Sequence, residues 1–403
     1  MPSSWPVAFS MIGPPGPAGT GSGQMVYSGT TLANITGVNG DYFINTSSGI
    51  LYKYGMISAG LATDVSTFAG NGEYGQTNSS LLNSTFWNLY NIAIDSNNNK
   101  YIIEYNDADT VYNIRKIDSF GAVSTFVAGL QSNGAITTDA LGNIYTSAYY
   151  SGEWNILKIT PAASISILFP DPSVGVDHPG AWDLKFDSAG NLFCITPRSQ
   201  HVYKITPSGT VSTFASGFYQ ITGGAFDSNG NLYVISQPGG TVQKITPSGT
   251  VSLFANIVPS GPTNCVFDSD NNLYVTNTFY NVINKITPSG DITVFAGVFE
   301  TPGFLDGPKL SAKFNWPVGI ALDSYGSMFI TDRNRRIRTI SSAPGGPGWQ
   351  YIYNLNGSSA SGSYPYSPAT PANWTNPVPS SFGAAIDRLA AAVAGLMPSG
   401  TRP

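Results

Sequence analysis

One phrase recurs through the middle of this chain, and its period limits the possible fold more than any other feature. An apolar strand ends in Asp-Ser, followed by a tight turn, Asn-Leu-Tyr-Val, a variable loop, Lys-Ile-Thr-Pro-Ser-Gly-Thr and Val-Ser-Thr-Phe-Ala. Asp187, Asp227 and Asp268 end the first strand of the clearest copies, 40 and 41 residues apart, and Asp95, Asp139 and Asp323 mark looser copies. The third-strand dyad falls at Lys116-Ile117, Lys158-Ile159, Lys204-Ile205, Lys244-Ile245 and Lys285-Ile286, with Thr339-Ile340 in the last copy. A closing phenylalanine follows at Phe126, Phe169, Phe214, Phe254 and Phe295. The Ser-Asn-Gly-Asn and Pro-Ser-Gly-Thr turns inside each unit suit tight hairpins. Four antiparallel strands per ~40 residues make the blade of a β-propeller, and a lone blade leaves its faces wet, so neighbours must stack.

Six copies supply strands one to three, but after Thr339-Ile340 the chain enters Pro344-Gly345-Gly346-Pro347 without a closing Val-Ser-Thr-Phe. That strand stands at the other end, at Val65-Ser66-Thr67-Phe68-Ala69-Gly70. The expected fold is therefore all-β: a six-bladed β-propeller over residues 62–343, closed by an N-terminal strand that pairs beside Arg335–Ile340. Phe314-Asn315-Trp316-Pro317-Val318-Gly319-Ile320-Ala321-Leu322-Asp323, Arg336-Ile337-Arg338-Thr339-Ile340 and Ala69-Gly70-Asn71-Gly72 resemble the NHL-type six-bladed propeller family. That resemblance covers about two thirds of the chain and implies fold rather than function, since its members include enzymes, protein-binding modules and RNA-binding modules.

Composition narrows the function. Only 10% of residues are charged, against roughly 25% in an average soluble protein, and the formal net charge is −5. The balance argues against nucleic acid, and the one basic cluster (Arg333, Arg335, Arg336 and Arg338) has Asp332 beside it. No apolar run approaches the ~20 residues of a membrane-spanning helix, so membrane insertion is not expected. The Met1–Met11 segment lacks the basic start of a secretory signal. Two histidines, His178 and His201, offer no metal-binding pattern, and no cofactor, metal or catalytic group is expected. Glutamates are confined to Glu73, Glu104, Glu153 and Glu300 in or beside loops; Asp107 and Asp109 near Glu104 read as a solvated acidic loop rather than a calcium site. The Asp-Ser series reads as Asx-turn chemistry, the repeated lysines as framework, and Cys194 and Cys265 as buried thiols.

Short, uniform turns share one face of the disc. The opposite face collects the variable connections, with long insertions at Asn71–Tyr90 and Val298–Pro317 entering the first and sixth blades and a further one at Pro170–Trp182. Because the ring closes, the first two insertions fall on one sector. That face gathers aromatics beside small polar residues, and the candidate binding residues are Trp87, Tyr90, Tyr105, Tyr149, Trp154, Trp182, Tyr280, Phe304 and Trp316, with Tyr150 and Phe279 nearby.

The flanks suggest a setting. Residues 1–23 form an arm whose Gly13-Pro14-Pro15, Gly16-Pro17-Ala18 and Gly19-Thr20-Gly21 are collagen-like triplets. Residues 24–61 contain a β-hairpin pattern from Gly40 to Tyr54. Residues 344–381 read as a Gly/Ser/Pro-rich linker. Residues 382–403 read as an amphipathic helix and tail whose Phe382, Ile386, Leu389, Val393 and Leu396 make a two-heptad oligomerisation seam. The triplets followed by the hairpin resemble phage tail-fibre and large-virus structural proteins. That resemblance implies a virion structural or attachment protein, with other virion proteins, a host glycan or receptor, and copies of itself as partners. The alternatives are a lactonase- or lyase-like propeller enzyme with an axial metal, and an extracellular microbial adhesin.

Overall fold

The computed structural model describes residues 64–341, apart from 173–179 and 198–199, together with strands at 26–29, 42–45, 50–56 and 347–354. The chain divides into two compact units, Ala59–Ala343 on the one hand and Met1–Ser58 with Pro344–Pro403 on the other.

The larger unit shows how each repeat becomes a blade. In blade 4, Ile221–Phe226, Leu232–Ser236, Thr241–Ile245 and Val251–Asn256 pair antiparallel in chain order. The repeated aspartate makes the first turn: Asp227 Oδ1 accepts the Asn229 and Asn231 N–H groups at 2.9 and 2.8 Å, and its Oδ2 accepts the Asn231 amide at 2.8 Å. Gly230 takes φ +76° to complete the turn, a conformation that costs a residue with a Cβ. Asp95, Asp139, Asp187, Asp268 and Asp323 accept turn N–H groups in the same way, so the series is structural.

Six such four-stranded groups follow one another. Blade 1 comprises Asn88–Ile94, Lys100–Asn106, Val111–Ile117 and the start of Val123–Thr138. The end of that long strand opens blade 2, followed by Ile144–Tyr150, Glu153–Ile159 and Ile165–Pro170. Blade 3 runs from Asp183–Phe186 to Val211–Ser216, and blade 5 from Pro262–Phe267 to Ile292–Ala296. In blade 6, Pro317–Leu322, Met328–Asp332 and Arg336–Ile340 are completed by Asp64–Ala69, with Ile337 opposite Ala69 and Ile340 opposite Val65. The N-terminal strand therefore closes a ring in which each blade's first strand contacts the next, and that of blade 6 contacts that of blade 1. A two-residue strand, Gly307–Pro308, covers the outer edge of the closing strand.

Aromatic rings glue neighbours together. The second-strand ring of one blade meets its own closing phenylalanine and the first strand of the next: Phe193 lies 4.9 Å from Phe214 and 5.0 Å from Phe226, and Tyr233 lies 4.9 Å from both Phe254 and Phe267. The repeated lysines lie over these rings, Lys204 at 5.6 Å from Phe193 and Lys244 at 5.6 Å from Tyr233, as framework residues. Cys194 and Cys265 are free buried thiols, and burial pushes both up.

At the ring's inner edge, four residues before each turn aspartate, the chain alternates Asn91, Ala135, Asp183, Gly223, Asn264 and Gly319. Small residues are needed where first strands approach: a Cβ on Gly319 would lie 2.8 Å from Asn91 Cα and from the Tyr90 carbonyl oxygen. The polar residues fill the axis, with the Asn264 amide donating to Asn91 Oδ1 at 3.1 Å.

In the smaller unit, Tyr42–Asn45 and Ile50–Met56 form the expected hairpin, and Val26–Gly29 adds in parallel to the first of these strands. Residues 347–354, read from sequence as part of a linker, instead form a strand against Ile50–Met56, with Trp349 opposite Tyr54 and Tyr351 opposite Tyr52. The physical reason is the β-favouring run Trp349-Gln350-Tyr351-Ile352-Tyr353, which outweighs the Gly/Pro context around it. The collagen-like triplets and the seam of Phe382, Ile386, Leu389, Val393 and Leu396 lie outside the described residues.

The axial packing is testable. Gly319→Ala forces two backbones apart and is expected to lower the unfolding free energy by about 1–3 kcal/mol, read from urea denaturation; an unchanged midpoint contradicts the close approach.

Candidate functional site

Two buried arginines hold the long insertions in place. Arg115, in the third strand of blade 1, pairs with Glu104 at 3.2 Å, and both side chains are fully buried. It also donates to the Thr85 carbonyl at 3.0 Å and to Asn78 Oδ1 at 2.8 Å, and lies over Phe86. Glu104 in turn accepts the Trp87 N–H at 3.1 Å, so this glutamate is a strand-borne clamp, not a loop-side oxygen ligand. Blade 6 repeats the device. Arg338 pairs with buried Asp332 at 3.1 Å and with Asp306 at 2.6 Å, donates to the Lys313 and Leu305 carbonyls, and lies over Phe314. Asp332 accepts the Asn315 N–H at 3.1 Å. Burial pushes the Asp332 carboxyl up, and although N–H donation from Asn334 and Asn315 and the Arg338 charge oppose it, the carboxyl stands at about 6. Burial likewise raises Glu104, opposed by Arg115.

The other four blades carry Leu157, Tyr203, Gln243 and Asn284 at the corresponding third-strand position. Arginine thus appears only in the two blades with the longest entries. The coincidence stands in the sequence, where Arg338 reads as part of a basic cluster and nothing local marks Arg115 as a loop clamp.

With both insertions pinned, the seam between blades 6 and 1 gathers rings around Arg333. Its guanidinium lies 5.3 Å from the Tyr90 ring and 5.1 Å from the Trp316 ring. Tyr90 meets Tyr112 at 5.5 Å, Tyr112 meets Tyr105 at 4.9 Å, and Phe279 meets Trp316 edge-on at 5.4 Å. Burial raises the Tyr112 phenol, and the neighbouring Tyr90 adds to the shift. Trp316 is 40% exposed and takes φ +54°, a left-handed conformation uncommon for a bulky residue. Asn281 Oδ1 accepts its N–H at 2.9 Å. A strained, half-exposed ring held by a side-chain acceptor is the kind of feature that clusters at binding sites.

Of the candidate residues, the structure thus brings together Tyr90, Tyr105 and Trp316, and adds Tyr112 and Arg333, which sequence reading had not singled out as binding residues. Trp87 pairs with exposed Tyr74 at 5.9 Å, and Phe304 lies under Arg336 at 3.9 Å, both on the flanking insertions. Tyr280 stacks on Phe299 at 5.0 Å. Tyr149 and Trp154 pair with each other at 6.1 Å in blade 2, and Trp182 stands exposed at the entry to blade 3; these three take no part in the contacts around Arg333.

The axis does not fit a bound metal. Asp183 Oδ1 already accepts the Leu184 N–H and Lys185 Nζ, the latter at 2.8 Å, and its Oδ2 accepts the Gly224 N–H at 3.0 Å. The Asn91 and Asn264 oxygens accept the following backbone N–H groups. Among the described residues no group of three or more His, Cys, Asp or Glu is placed to hold a cation. His201 stacks on Tyr203 at 5.6 Å, and His178 lies outside the described residues.

No protein-family model and no curated protein matches the chain. Solved structures do. A protein of unknown function from Bacteroides thetaiotaomicron superposes with TM-score 0.58 at 19% identity over 72% of this chain and 76% of that one. An auxiliary nutrient binding protein from the same organism gives TM-score 0.57 at 18% identity over 71% and 76%. A putative gluconolactonase gives TM-score 0.50 at 11% identity over 72% and 94%. At these identities the likeness is one of fold, and it is that of β-propellers.

The two clamps and the platform separate in their effect on stability. Arg338→Met leaves Asp332 buried without its charge partner and is expected to cost about 3–5 kcal/mol, with faster hydrogen exchange across residues 303–313. Arg333→Gln removes no ion pair and should change the unfolding free energy by less than about 0.5 kcal/mol. Equal effects of the two substitutions contradict the clamp assignment.

Proposed function

We propose that this chain is a non-catalytic binding protein whose propeller presents the Trp316–Arg333–Tyr90 platform to a glycan on a host surface, in the setting of a virion. The platform carries the reading. It combines a half-exposed indole in strained backbone, a guanidinium held between rings and three neighbouring phenols, a composition suited to the C–H faces and hydroxyls of a sugar. The side-chain oxygens at the axis, where a lactonase-like chemistry would sit, are taken up by protein hydrogen bonds. The virion setting rests on the collagen-like triplets at Gly13–Gly21 and the hairpin at 42–56, which resemble fibre proteins. Oligomerisation through Phe382–Leu396 belongs to the same proposal.

Two measurements test it. Binding of the purified full-length chain to immobilised oligosaccharides is expected to fall at least tenfold in Trp316→Ala and to weaken in Tyr90→Phe, which keeps the ring packed against the core and removes only the hydroxyl, with thermal midpoints close to the parent. Mass spectrometry of purified particles is expected to find the polypeptide in stoichiometric amount. Undiminished glycan binding by both variants removes the platform, and particles lacking the chain remove the virion role.

A further inference from the structure

Residues 333–338 contain four arginines, and their surroundings differ. Arg338 is consumed by Asp332, Asp306 and two backbone carbonyls. Arg335 donates to the Gly72 carbonyl at 2.9 Å and lies flat on Tyr74 at 3.4 Å from the ring centre. Arg336 donates to the Asn71 and Asn334 carbonyls and lies on Phe304. Arg333 alone has only ring contacts. Its backbone N–H bonds to the Asn315 carbonyl, but its guanidinium has no hydrogen bond and no carboxylate partner among the described residues, and its Nε is buried without an acceptor.

We propose that Arg333 is the anchor for a sugar carboxylate, so that the platform takes an acidic sugar whose ring lies against Trp316. This rests on the platform reading and names its ligand class. The cation–π contacts fix the guanidinium without using its N–H groups. The planar fork then matches a two-oxygen carboxylate, and the N–H groups left unpaired gain an acceptor. The phenols of Tyr90, Tyr105 and Tyr112, linked by ring contacts to the same guanidinium, supply donors and acceptors for the hydroxyls of that sugar. Trp316, held in its strained backbone by Asn281, offers an apolar face to the ring's C–H groups. One charge on the ligand suits the site better than many. A single unpaired cation faces it, the chain carries net charge −5, and the turn after Tyr105 holds Asp107 and Asp109.

The test is isothermal titration of the full-length chain with 3′-sialyllactose, a galacturonic acid trimer, lactose, lactose 3′-sulfate and a glutamate-rich peptide. At least one of the two carboxylate sugars is expected to bind ten or more times tighter than lactose and tighter than the sulfate and the peptide. Arg333→Gln is expected to reduce that ligand to the affinity of lactose, and Arg333→Lys, which keeps the charge without the fork, to leave an intermediate value; unchanged thermal midpoints certify the fold of both. Acidic sugars binding Arg333→Gln as they bind the parent overturn the inference, as does tighter binding of the sulfate or peptide. Lactose binding as tightly as the acids, and lost in Trp316→Ala, overturns the carboxylate while leaving the platform intact. Binding of none of the probes overturns both.

Discussion

The pairing of Asp64–Ala69 with Arg336–Ile340 turns a row of sheets into a ring, and the placement of every functional group follows from it. Without that pairing blade 6 lacks its outer strand and the row has a free end. With it, first strands contact one another all the way round, and the entries to blades 6 and 1 become neighbours although more than two hundred residues of chain separate them. The closure is supported on both sides. Val65 is buried among Ile283, Phe314 and Ile330, while Gly307–Pro308 covers the outer edge of the closing strand.

Long loops on a propeller face are poor places for a binding site unless something holds them, because an ordered loop loses conformational entropy that few apolar contacts return. Here the holding is ionic and buried. Glu104–Arg115 and Asp332–Arg338 occupy corresponding strands of the two blades, and each arginine reaches into the insertion that enters its own blade. A buried ion pair is seldom a net source of stability, but several of its hydrogen bonds fall on loop carbonyls and so fix one loop conformation. The rings around Arg333 are thereby presented on braced backbone.

Much of the ring was legible along the chain. The period, the turn aspartates and the missing last strand are local or strictly repeated patterns, so strand order, closure and the structural role of Asp187, Asp227 and Asp268 could be read directly. The candidate rings were read less well, because the pattern of connections assigns Trp182, Tyr149 and Trp316 to variable loops but does not say which of them converge. Residues 347–354 passed for linker because their partner, Ile50–Met56, lies nearly three hundred residues away and only a distant pairing makes a strand of them. Glu104 passed for a loop-side acid because nothing local marks it as the partner of Arg115.

What the sequence determined by itself is what depends on neighbours in the chain: hairpins, turn chemistry, the alternation of inner-edge residues, the number of repeats and the need for a closing strand. Which charges end up paired was decided only in three dimensions. Arg333 and Arg338 stand five residues apart on one hairpin with similar surroundings in sequence, yet Arg338 is buried against two aspartates while Arg333 is left between two rings. The reason is geometric. Whether an arginine is a structural clamp or an open cation depends on which loop folds back over it, and that is settled by contacts between segments far apart in the chain.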